Sequence, residues 1–134
     1  MPRSSVLLTP APVGGDAVAA AAGAVWQRLG DPAPEPFELR VLDDGAVLQV
    51  LGDGVAVLSV LRPRLLPTLD EVARLLPGAH APEATAWWTD AYTPWRPEGA
   101  IGVAILDAAA EASMGLAVHQ GLAAAWQRDR PAAG

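Results

Sequence analysis

Four of the seven aromatic residues of this chain gather in one place. Trp87, Trp88, Tyr92 and Trp95 fall within nine residues, and Arg96 follows directly. Read as a helix, the i,i+4 spacing puts Trp88 and Tyr92 on one face and turns Trp87 about 100° away. One indole then enters the core while another stays near the surface. Exposed rings of this size serve interfaces and pockets, because they bury much apolar area with few torsions to freeze. Arg96 adds a guanidinium able to stack on Trp95. The competing use is purely structural: the rings plug the end of a core built from small alanine side chains. Trp87, Trp88, Tyr92, Trp95 and Arg96, with His119, are the candidate interface or pocket residues.

Other chemistry is sparse. His80 and His119 are the two histidines. Glu83 and Glu111 lie near them in sequence, but neither pairing has the HExxH spacing that presents ligands on one helix face. No metal and no cofactor are expected. His80 reads as a loop residue, and His119 as lying on the side of a last helix toward Trp126. Ser59 sits in a strand and Ser113 on a helix, both without the Gly-x-Ser-x-Gly turn that exposes a nucleophile. Asp43-Asp44 forms a turn, and Asp70-Glu71 opens a helix, where negative charge is favoured. Gly52-Asp-Gly54 lacks the Lys and Ser/Thr of a phosphate loop. Arg62 and Arg64 flank Pro63 and offer a donor fork to an anion, or bridge to surface acids. No catalytic residue is assigned.

Composition narrows the classes further. The 134 residues suffice for one domain, 1–134, with a frayed tail over 129–134. Apolar residues make up 51%, enough for a core without staples. Fifteen acidic residues face nine basic ones, all Arg, for a net charge of -6. Such a chain is a poor ligand for nucleic acid or an acidic membrane. The absence of cysteine removes disulfides and thiolate chemistry. Gly14-Gly15 and Asp16 interrupt the only segment resembling a leader, and no stretch is long enough to span a membrane. A cytoplasmic protein is expected.

The elements that must position these residues follow from periodicity. Ser5–Thr9 reads as a strand ended by Pro10. Asp16 caps a helix over 16–29, with Gly30 as its stop, and a proline-rich loop fills 31–36. Strands follow at 37–42, 46–51 and 55–61, joined by the tight turns Asp43-Asp-Gly45 and Gly52-Asp-Gly54. In the first of them, Phe37, Leu39 and Val41 face one way, Glu38 and Arg40 the other. Thr68-Leu-Asp-Glu71 has the form of a capping box opening a helix to Leu76, closed by Pro77-Gly78. Residues 79–99 are a short helix or an irregular excursion. Ala100–Leu106 reads as a buried strand and 108–127 as a last helix. The fold expected is α+β: a two-layer α/β sandwich on a mostly antiparallel sheet, in the order β-α-β-β-β-α-(Trp-rich segment)-β-α. Strands 46–51, 55–61 and 100–106 are apolar in both registers. Either the helices split between the sheet faces, or a second subunit covers one of them.

The stretch Gly54–Pro67, the helix carrying Glu71, and Trp87 and Trp88 before a later strand and helix resemble a family of small bacterial α/β proteins, the domain of unknown function numbered 4261. The histidine-containing strand of that family has no counterpart in 100–106. The resemblance implies an α/β fold and transfers no activity or site residue.

Three functional readings follow. The first is a non-enzymatic structural or protein-interaction domain that self-associates as a homodimer. The second is a small-ligand-binding module, or an enzyme, with a pocket near the Trp-rich segment. The third is a secretion-associated or chaperone-like protein that presents a helix or a sheet edge to a partner.

Overall fold

The computed structural model describes residues 3–29 and 37–120. Gly30 and the loop 31–36, the part of the expected last helix from 121 to 127 with Trp126, and the tail 129–134 lie outside these residues. The elements run β1 (Arg3–Thr9), α1 (Gly15–Gln27), β2 (Glu38–Leu42), a 3-10 turn (Asp43–Gly45), β3 (Val47–Gly52), β4 (Val55–Leu61), β5 (Arg64–Leu65), α2 (Asp70–Leu75), β6 (Trp87–Thr93), α3 (Gly99–Ala112) and β7 (Leu116–His119). The strands form one sheet in the order β2-β3-β4-β6-β1-β7, with β5 also on β6. Every pairing is antiparallel. The α+β architecture on an antiparallel sheet is therefore observed.

The meander β2-β3-β4 matches its expected turns. Asp53 (φ 52°) and Gly54 (φ 75°) both adopt positive φ, as the reversal between Gly52 and Val55 requires. β4 and β5 lie on the same flank of β6: Ser59 and Val60 face Tyr92 and Ala91, then Arg64 and Leu65 face Trp88 and Trp87. Pro63 has no N–H to donate, and the ladder breaks there.

The helices split between the two faces. Along β1, Leu7 joins the cluster beneath α1 and α3, while Val6 and Leu8 join Val72 of α2 and Leu76 at its C-cap on the opposite side. In α1, Val18, Ala21, Ala22 and Val25 are buried, an i, i+3, i+4, i+7 stripe. No second subunit is therefore required to cover both faces of β1. Nor is the far side of the meander uniformly apolar. Register places Arg40, Gln49, Ser59, Tyr92 and Ser4 in one row across five strands. That row tolerates water, so the doubly apolar reading of 46–51 and 55–61 does not by itself demand cover.

Three expectations in the C-terminal half are corrected. The Trp-rich segment is a strand, β6, not a helix or an excursion: its aromatic and β-branched side chains suit a pleated surface between two neighbours. Ala100–Leu106 belongs to a helix, α3, not a strand. The apolar run 100–106 fits either element, but past Asp107 the alanines 108–110 and Ala112 carry it to a length of 14 residues from Gly99, too long for a strand. Val103, Ile105, Leu106, Ala109 and Ala110 form its buried side, while Asp107 and Glu111 face solvent. α3 lies so close to the sheet that a Cβ on Gly102 would meet the Val57 carbonyl oxygen and stand 2.7 Å from Thr93 Cγ2. Finally, the helix ends at Ala112, and β7 occupies residues where a helix to 127 was expected. The capping box at Thr68 also fails to form. Leu69 occupies the N-cap without a side-chain bond, and Glu71 pairs instead with Arg74 at 2.6 Å.

Candidate functional site

β6 distributes the aromatic residues by period two. Trp88 and Tyr92 share a face, as the helical reading also had it, but Trp87 points to the opposite side of the sheet. Trp88 is buried against Val6, Leu8, Val72 and Leu76. Its Nε1–H donates to Asp90 Oδ1 at 2.9 Å. Arg64 lies over the Trp88 ring at 5.2 Å and reaches Asp90 Oδ2 at 3.8 Å. Arg64 thus bridges to a surface acid, and Trp88 is core. Tyr92 stands exposed within the polar row, between Ser59 and Ser4.

Trp95 is exposed beyond the end of β6, and its cationic neighbour is Arg3, at 5.4 Å, rather than Arg96. Arg3 and Arg96 line one cleft of about 230 Å³ with Pro97, Ala100 and Val103. Arg3 Nε is shut off from water without a hydrogen-bond partner. Among the described residues neither guanidinium pairs with a carboxylate. The fold thus gathers Trp95 and Arg96 at one site and leaves Trp87, Trp88 and His119 elsewhere. Arg3 was not legible as a member, because nothing in the sequence places the start of β1 beside residue 95.

His119 sits on β7, not on a helix. Its Nδ1 accepts from the Ser5 hydroxyl at 2.8 Å, and its Nε2–H donates to Asp107 Oδ1 at 2.8 Å. One imidazole tautomer satisfies both bonds. These are the three residue types of a nucleophilic triad, but their exposure is inverted. Ser5 is 1% exposed, whereas the Asp107 side chain is 59% exposed. In acyl transfer the hydroxyl must meet the substrate and the carboxylate is shielded. Here a carbonyl cannot reach Ser5 Oγ, and the three groups instead tie β1, β7 and α3 together. His119, Asp107 and His80 line a wider cleft of about 780 Å³ beside Leu76, Leu116 and Val118. No three His, Cys, Asp or Glu side chains among the described residues converge as a metal site.

The remaining feature is the outer edge of β2. This strand pairs with β3 on one side and ends the described sheet on the other. Leu39 is 38% exposed and Val41 65% exposed, both on the face that β3 fills with Val50 and Leu48. Glu38 and Arg40 alternate with them on the other face, 3.6 Å apart. Their alternation was legible in the sequence; that the strand would end the sheet was not. No helix among the described residues is long and apolar enough to cross a membrane. Compared with protein-family models, curated proteins and solved structures, the chain matches none of them.

Proposed function

We propose that this chain is a non-enzymatic protein-interaction domain that self-associates as a homodimer through the edge of its sheet. The observation that carries this reading is β2: an edge strand, without a neighbour on its outer side among the described residues, whose apolar residues Leu39 and Val41 face solvent. An open edge offers free N–H and C=O groups, and exposed apolar side chains beside it reward pairing. β2 carries its charges, Glu38 and Arg40, on one face only, and the other face presents Leu39 and Val41. Association thus runs through the edge rather than the sheet face. Size-exclusion chromatography with light scattering at high micromolar concentration tests it. Two chains per particle are expected, and a monodisperse monomer contradicts it.

A second reading has its own support. The guanidiniums of Arg3 and Arg96, neither paired with a carboxylate among the described residues, converge on one cleft in a chain of net charge -6. A planar donor fork fits a small carboxylate or phosphate group. Titration with inorganic phosphate, followed by amide NMR shifts, should perturb residues 96–100 in the parent and not in Arg96→Gln. Equal shifts in both proteins would remove this reading.

A further inference from the structure

We infer that two copies of the chain pair antiparallel along β2, about a two-fold axis passing through Leu39. This inference rests on the self-association proposed above and assigns its register. Across an antiparallel pair, directly opposite side chains point to the same face. A two-fold axis perpendicular to the sheet must therefore centre on a residue of the strand. The choices within β2 are few. Centred on Glu38 or on Arg40, the axis sets two like charges opposite each other. Centred on Val41, it sets Arg40 against Leu42 and Leu39 against Asp43. Centred on Leu39, it sets Glu38 opposite Arg40 of the second copy, twice by symmetry. The other face then reads Phe37 against Val41, Leu39 against Leu39 and Val41 against Phe37. Charge thus meets charge on one face, and apolar meets apolar on the other. The residues involved are already oriented for it: Glu38 and Arg40 stand on one face, Leu39 and Val41 on the other, and all four are exposed.

The far edge lacks this property. β7 runs Leu116-Ala-Val-His119, and no axis through it brings opposite charges together. Phe37 packs against Trp26 with ring centroids 5.3 Å apart, so the end of the apolar row is held from within each copy.

Charge exchange tests the register. E38R makes both charged positions of the strand cationic, and R40E makes both anionic. Each variant alone should associate about tenfold or more weakly than the parent, because two attractive pairs become two repulsive ones. An equimolar mixture of the two should form a mixed dimer, and the double variant E38R/R40E should dimerise like the parent. Both positions are exposed, and circular dichroism of each variant should match the parent. Sedimentation velocity reads all five samples, the parent included. A dimeric parent whose single variants stay dimeric, or whose mixture fails to recover, overturns the Leu39 register while self-association stands. A monomeric parent overturns both.

Discussion

Ser5, His119 and Asp107 show how a familiar set of residue types can be put to structural use. The imidazole joins a hydroxyl that water never reaches to a carboxylate that water reaches freely. The cost of breaking it is therefore asymmetric. His119→Ala strands the Ser5 hydroxyl inside the sheet and should lower unfolding free energy by about 1–3 kcal/mol. Asp107→Asn keeps an acceptor at an exposed position and should change it by less than about 1 kcal/mol. Urea unfolding of both variants separates the two effects, and an equal or larger loss for Asp107→Asn contradicts this assignment. The reactive groups themselves were visible in the sequence, but their partnership was not. Ser5 and His119 stand 114 positions apart, and only the pairing of β1 with β7 brings them together.

The end of α3 explains why the last third of the chain misled a reading by periodicity. The helix closes with a Schellman motif: Gly115 N–H donates to Ala110 C=O at 2.8 Å, and Met114 N–H to Glu111 C=O at 3.2 Å. The left-handed position that glycine normally fills is taken by Met114, at φ 57°, and Gly115 follows it. With the stop residue absent from its usual place, Ala-Ser-Met-Gly-Leu reads as continuing helix. Met114 is 82% exposed and gives up little packing if replaced. Met114→Gly should therefore raise unfolding free energy by about 0.5–1 kcal/mol, the left-handed strain relieved outweighing the freedom gained by the unfolded chain. Thermal unfolding reads it, and a loss of stability contradicts the motif. The front half was more legible. Its Asp-Gly turns and strict alternation are local signals, whereas the choice between strand and helix for 87–93 and 99–112 depended on which surfaces those segments would meet.

Taken as one body, the molecule has two helices on one sheet face and one on the other, with a polar row crossing the uncovered part. The faces are thus largely accounted for within one copy. The edge at β2 is not, since exposed Leu39 and Val41 stand there beside backbone whose outer side no other described strand pairs. Legibility was limited here too: the sequence left open whether the helices split between the faces or a second subunit covers one of them, and strand order alone reveals which strand lies outermost. Amide hydrogen exchange at low and high protein concentration tests the self-association at β2 most directly. Exchange across residues 37–41 should slow as concentration rises, while that of 116–119 stays constant. Exchange across 37–41 that is independent of concentration would contradict the account.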